Sequence, residues 1–274
     1  MDLPCFQVDA FTSQPFRGNP AAVCVLPRWL PDALLQAVAA EMNLSETAFI
    51  VAEDRSTYHL RWFTPTTEVD LCGHATLASA FVVSRALAPQ TRHVVFHAPR
   101  AGCLPVVRDG DALVLDFPAL PPASVSDDRT DVARALGRPA VAYASNDDTI
   151  VARFGTQSEV AALSPDMAKL SALARFVVAT APGEPGSDAD FVSRFFAPHV
   201  GVDEDPVTGS AHCVLAPFWA HRLNKTTLEA QQISRRGGGM RCTLVDDRVL
   251  LRGHAVLVMT GTLTLPDHTV APTL

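Results

Sequence analysis

Two short blocks hold the residue types that could do chemistry. Leu71-Cys72-Gly73-His74-Ala75-Thr76 places a thiol and an imidazole on either side of a glycine. Asp205-Pro206-Val207-Thr208-Gly209-Ser210-Ala211-His212 places a carboxylate, two hydroxyls and an imidazole around another. Each block follows a short aromatic strand and opens an apolar stretch that reads as a helix. The first N–H groups of a helix have no partner inside it and carry the positive end of its dipole. A small residue there admits a ligand to that backbone, which suits a carboxylate or a developing oxyanion. His74 is placed to hydrogen-bond such a ligand or to share a proton with Asp205. Ser210 would add a hydroxyl, and Gly73 and Gly209 backbone donors. Taken alone, Asp205 also reads as a first-turn acid favouring the helix dipole, and each glycine as simple relief of a tight turn.

The two blocks are copies of one pattern. Arg61-Trp62-Phe63-Thr64-Pro65 precedes the first and Arg194-Phe195-Phe196-Ala197-Pro198 the second. Phe63 and Phe196, Pro65 and Pro198, and Asp70 and Asp203 share an offset of 133, whereas Gly73 and Gly209 are 136 apart. This predicts duplicated halves with three extra residues between Asp203 and the second glycine.

The elements that must position these blocks are mostly strands. Phe6–Phe11 and Ala21–Leu26 are expected to pair across a turn at Arg17-Gly18-Asn19-Pro20. A helix follows from Pro31 to Met42, then Asn43-Leu44-Ser45-Glu46-Thr47 and a strand over Ala48–Val51. Helices are expected over Ala75–Leu87 and Ala211–Leu223, and Gln231–Gly239 reads as a flexible polar loop. Pro118–Asp131 is the best linker between lobes, dividing the chain into 1–118 and 119–274. A C-terminal strand at about 259–274 is expected to pack back onto the first lobe. Each half is strand-rich around one dominant helix, an α+β pattern without the regular alternation of a doubly wound parallel sheet.

Composition narrows the classes. A chain of 274 residues, 48% hydrophobic, can bury a large core. A net charge of −7 argues against nucleic-acid binding. Six cysteines without a Cys-x-x-Cys pair suggest neither a disulfide scaffold nor a zinc site, and read as reduced cytoplasmic thiols. No signal peptide or membrane span is expected. His59, His93, His97, His199, His212, His221, His254 and His268 show no metal-binding spacing, and no P-loop or Gly-x-Gly-x-x-Gly is present. No metal is assigned.

Several blocks together resemble the phenazine-biosynthesis isomerase family (PhzF-like), of the diaminopimelate epimerase fold. They are Val8-Asp9-Ala10-Phe11 with Gly18-Asn19-Pro20, Asn43-Leu44-Ser45-Glu46-Thr47-Ala48-Phe49, Leu71–Thr76 and Asp205–Ala211. The resemblance implies two pseudo-symmetric lobes, each a mostly antiparallel sheet rolled around a central helix, with a site in the cleft between them. It implies a cofactor-free isomerase that moves a proton within a small carboxylate-bearing substrate, usually as a homodimer. Dihydro-hydroxyanthranilate isomerisation is the nearest named reaction. Glu46 would be the general acid/base, with His74 and Asp205 catalytic, and Gly73, Gly209, Ser210, Asn19 and Cys72 binding substrate; Arg17 is a weaker candidate.

In amino-acid epimerases of this fold two thiols face one substrate carbon. Cys72 stands where the first would be, but the second turn has no thiol, and Cys213 falls inside the helix. Two other readings stay open. One is a racemase using Cys72 opposite Glu46 or Asp205; the other is a silent homologue that binds a metabolite or a protein.

Overall fold

The run Ala48-Phe49-Ile50 is apolar at every position because its sheet is covered on both faces. In the computed structural model, which describes residues 1–125 and 129–265, the chain divides into two units. The first comprises Met1–Asp116 with the segment from Arg252 onward, and the second Phe117–Leu251. Among the described residues no helix is long and apolar enough to cross a membrane.

The first unit contains β1 (Asp2–Ala10), β2 (Asn19–Leu26), α1 (Asp32–Met42), β3 (Glu46–Ala52), β4 (Thr57–Phe63), β5 (Glu68–Val69), α2 (Gly73–Val82), β6 (His93–Ala98), β7 (Gly102–Asp109) and β8 (Ala112–Pro118). Strand β2 runs antiparallel to β1 and parallel to β3. Strand β4 is antiparallel to β3 and β5 and parallel to β6, and β7 joins β6 and β8 antiparallel. Leu35, Val38 and Ala39 of α1 pack with Cys24 and Phe49 on one face. Helix α2, buried at every position except Phe81, packs on β1, β2 and β3. A wide helical turn over Val83–Leu87 extends it. Asn43 adopts a left-handed conformation (φ 49°) that ends α1 and turns the chain into β3.

The second unit begins with β9 (Ala123–Val125), α3 (Thr130–Leu136), β10 (Ala142–Ser145), β11 (Thr149–Arg153), α4 (Gln157–Ala161), α5 (Met167–Ala172), β12 (Phe176–Pro182) and β13 (Phe191–Ala197). It continues with β14 (Val202–Asp205), α6 (Gly209–Leu223), β15 (Thr227–Gln232), β16 (Gly238–Val245) and β17 (Arg248–Gly253). Its ladders repeat those of the first unit in order. β10–β11 is antiparallel, β11–β12 parallel, β12–β13 and β13–β14 antiparallel, β13–β15 parallel and β15–β16 antiparallel. Helix α6, largely buried, packs on β15 and β16. Both units are therefore mostly antiparallel sheets built on one buried helix, an α+β fold with internal pseudo-symmetry.

The last strand, β18 (Ala255–Thr264), pairs antiparallel with β1 from Ala10↔Ala255 to Asp2↔Thr264. The remainder of the expected C-terminal strand, 266–274, lies outside the described residues, as do His268 and the 126–128 part of the expected linker. The rest of that linker is not free chain. Ala119 N–H donates to the Asp247 carbonyl, Leu120 N–H to that of Cys213, and β9 pairs with β10.

Two further readings are corrected. The polar loop expected over Gln231–Gly239 is confined to 233–237: Gln232 ends β15 fully buried, and Gly238 begins β16. The three extra residues do not lie between Asp203 and Gly209. Phe63 pairs with Glu68 and Phe196 with Glu204, so the offset has already become 136 at the glutamates. The helical turn Pro198–Val200 accounts for the insertion, and Asp203 is not the counterpart of Asp70.

The same register exposes a duplicated device. Arg61 grips Glu68 with Nε and Nη2 at 2.6 and 2.7 Å. Arg194 grips Glu204 through the same atoms at 2.7 and 2.8 Å. Each guanidinium also lies 5.1 Å from the ring centroid of the phenylalanine two residues on, Phe63 or Phe196. The planar fork fixes the strand pair that leads into each glycine turn.

Candidate active site

Three segments of the first unit bring their polar side chains together. Gly18, at φ +64°, turns the chain from β1 into β2; a Cβ there would stand 2.1 Å from the Ala10 carbonyl oxygen. That turn delivers Asn19, fully buried, as the first residue of β2. Glu46 is the first residue of β3, in register with Ala21 of β2. Cys72 is the extended N-cap of α2, Gly73 its first residue and His74 its second.

Nδ1 of His74 lies 3.1 Å from Asn19 Nδ2, and Nε2 lies 3.1 Å from Glu46 Oε2. In the neutral ring, with the carboxamide nitrogen donating to Nδ1, the one ring proton sits on Nε2, toward the carboxylate; in the protonated ring both nitrogens donate, and the carboxamide turns its oxygen to Nδ1. The carboxylate oxygen is off the ring N–H axis: buried Oε2 has no directed hydrogen bond among the described residues. Cys72 Sγ is 3.4 Å from Nδ1 and 4.0 Å from Nε2. Of these side chains Glu46 is the most open, at 16% exposure against 4% for His74.

Burial opposes a charged His74 ring, but Cys72 and Glu46 beside it outweigh that and hold its pKa well above the ordinary value. Burial pushes the Cys72 thiol up to about 11, with the Glu46 charge adding to the effect. Cys72 is therefore a neutral thiol near pH 7. The arrangement can hold one mobile proton between carboxylate and imidazole.

The second unit holds Asp205, Gly209 and Ser210. Asp205 ends β14 and is buried; the Thr208 hydroxyl donates to its Oδ2. Gln232 completes this knot, with Nε2 donating to the Asp205 carbonyl at 2.7 Å and Oε1 accepting from Thr208 N–H at 2.9 Å. Sequence reasoning missed Gln232; its only signal is an inward place in the alternation of Thr227–Gln232. Ser210 is exposed, and so is Arg17. Ser234 Oγ donates to the Pro206 carbonyl and accepts from Gly237 N–H, so the Arg235–Gly239 stretch is tied down as a strand connection.

The two turns share more than their glycines. Thr76 Oγ1 donates to the Cys72 carbonyl at 2.6 Å, and His212, also 136 residues on, meets the Thr208 carbonyl through Nδ1 at 2.7 Å. Neither α2 nor α6 has a side-chain hydrogen bond capping its first N–H groups, since Thr208 spends its hydroxyl on Asp205. Those amides suit an incoming anion.

A separate cavity of about 400 Å3 lies beside Trp29, His59, Arg61, Glu68, His97 and Arg100. None of the residues named as site candidates lines it. Its arginines are already paired, Arg61 with Glu68 and Asp32, and Arg100 with Asp70.

Comparison with known proteins places this architecture. The fold is that of the epimerases: a hydroxyproline epimerase from Agrobacterium vitis superposes with a TM-score of 0.58 at 10% identity, over 98% of this chain and 94% of that one. A PhzF-family phenazine biosynthesis protein from Enterococcus faecalis superposes with a TM-score of 0.91 at 43% identity, covering 97% of this chain and all of that one. The sequence matches the PhzC-PhzF family, described as phenazine biosynthesis-like protein, over residues 8–261. An uncharacterized isomerase of Pseudomonas aeruginosa is 50% identical over 266 residues, 97% of this chain and the whole of that protein. The chain belongs to the PhzC-PhzF phenazine biosynthesis-like family.

Proposed function

We propose that the protein is an isomerase that moves a proton within a small carboxylate-bearing substrate, with Glu46 as the general acid/base. The observation that carries this reading is the Glu46 carboxylate 3.1 Å from His74 Nε2, with one oxygen buried and without a directed hydrogen bond among the described residues. The Pseudomonas aeruginosa relative is likewise named an isomerase.

The steps follow from the site. The substrate carboxylate binds the N-terminal amides of α2, where Gly73 keeps side chains out of the way. Glu46 takes a proton from an acidic carbon, and the His74 ring steadies the charge change as the proton returns at another carbon. Asn19 fixes the His74 ring. Asp205 is offered as a further catalytic carboxylate, and Ser210, with its exposed hydroxyl, as a substrate-binding residue. A dihydro-hydroxyanthranilate is the model substrate, no cofactor enters the scheme, and the working form is a cytoplasmic homodimer, which sedimentation at micromolar concentration checks.

A racemase based on Cys72 is disfavoured on this geometry. Its thiol is neutral near pH 7, and the counterpart position in the second turn is Thr208. The test is deuterium incorporation from D2O into cyclic and amino-acid carboxylates, followed by NMR. Incorporation that disappears in Glu46→Gln supports the proposal; equal rates in the two proteins would sink it.

A further inference from the structure

Glu46, Cys72 and His74 offer a carboxylate oxygen, a sulfur and an imidazole nitrogen, all within 4.8 Å of one another. Seen from His74 Nε2, Glu46 Oε2 is 3.1 Å away and Cys72 Sγ 4.0 Å. Ligand atoms sharing one tetrahedral zinc ion, each about 2.0–2.3 Å from it, stand about 3.3–3.6 Å apart. Cys72 Sγ, at 3.4 Å, is nearer Nδ1 than Nε2, so gathering the trio around one ion takes a turn of the His74 ring and side-chain movements of about 1 Å. One sulfur, one imidazole and one carboxylate select zinc-like ions over magnesium or calcium.

The donors are built on regular elements, at the start of β3 and the first turn of α2. Asn19 stands 3.1 Å behind Nδ1. Turned over, its carboxamide oxygen accepts from the Nδ1–H that a ring coordinated through Nε2 carries. Sequence spacing gave no hint of this group, because Glu46 comes from a different strand.

We propose that Glu46, Cys72 and His74 form a three-ligand site for a thiophilic divalent ion of the zinc class, and that its occupancy switches off the acid/base pair. The first half is independent of the proposed function; the second rests on it. On binding, a sulfur–metal bond replaces the Cys72 S–H bond and a nitrogen–metal bond the His74 Nε2–H bond; both protons leave to solvent, and the ring keeps its Nδ1 proton. The ion then holds the lone pairs that proton transfer requires. It enters past Glu46, the most open of the three.

The experiment titrates chelator-treated full-length protein with Co2+ and then Zn2+. One equivalent of Co2+ should give a thiolate-to-cobalt charge-transfer band that Zn2+ displaces. Cys72→Ser should lose the band, while Cys103→Ser, at an exposed thiol, keeps it. Asn19→Ala should weaken binding by about 10–100-fold. X-ray absorption on zinc-loaded wild type needs no variant and should find one sulfur at about 2.3 Å with lighter ligands. No thiolate band in wild type, or a band that follows Cys103, overturns the site. Zinc that binds without suppressing deuterium exchange overturns the switch. Absence of exchange in metal-free protein instead overturns the acid/base reading and leaves the binding result standing.

Discussion

Phe176 occupies in the second unit the position that Glu46 occupies in the first. Glu46 pairs with Ala21 in a parallel ladder, and the next residue, Thr47, faces Phe63. Phe176 pairs with Thr149 in the matching ladder, and the next residue, Val177, faces Phe196. The duplicated framework thus carries a carboxylate at this place in one copy and, in the other, a ring packed on Phe195 and His199.

That asymmetry predicts a one-sided loss. Glu46→Gln should lower the rate of deuterium exchange by about 10²–10⁴-fold. Phe176→Leu should leave exchange intact and cost about 1 kcal/mol of stability. NMR exchange rates and thermal melts on both variants measure the two effects.

His212 predicts acid sensitivity. Burial lowers its pKa to about 4, against about 6.5 in an unfolded chain. The unfolded state therefore binds the extra proton between these values, and stability falls as pH drops from about 6.5 to 4, by about 3 kcal/mol in all. His212→Asn keeps a donor for the Thr208 carbonyl and should flatten this slope in urea titrations at pH 7 and pH 5. His74 acts in the opposite sense. Its raised pKa contributes stability that is complete below about pH 6.5 and lost as pH rises through the folded value.

Gln232→Ala should cost about 2–3 kcal/mol, because it strands the buried Thr208 N–H and removes a donor from the Asp205 carbonyl. Gln232→Glu keeps the acceptor for Thr208 but loses the donor, and should destabilise as well. Chemical denaturation measures the loss, and a chemical-shift change at Thr208 N–H would locate it.

The paired forks give a matched test. Arg61→Lys and Arg194→Lys each replace a two-point grip by a single ammonium and should each cost about 1–2 kcal/mol. Lysine restoring full stability at either site would show that charge alone, not the planar fork, holds the strand pair.

Much of this was legible in the chain. Asn43 announced the end of α1, and the two Arg-x-Phe strands with their glycine blocks announced the duplication. Glu46 and His74 stood out beside a helix end and a glycine turn. Their proximity was not legible, since it depends on the parallel pairing of β2 with β3. Strand β15 was obscured because its Gln232 is buried by tertiary hydrogen bonds rather than by hydrophobicity. Aligning Asp70 with Asp203 by constant offset failed for a related reason: only the ladder register shows that the helical turn Pro198–Val200 comes first.

The pairing of β1 with β18 has a consequence for synthesis. On a ribosome adding about 5–20 residues per second, β1 emerges on the order of ten to fifty seconds before β18. Residues 117–251 form a contiguous unit and are ready to fold while the first unit still waits for its outer strand. Nascent chains stalled before Ala255 should therefore leave one edge of β1 open to proteases and to wrong partners. The segment made first is among the last to be sealed.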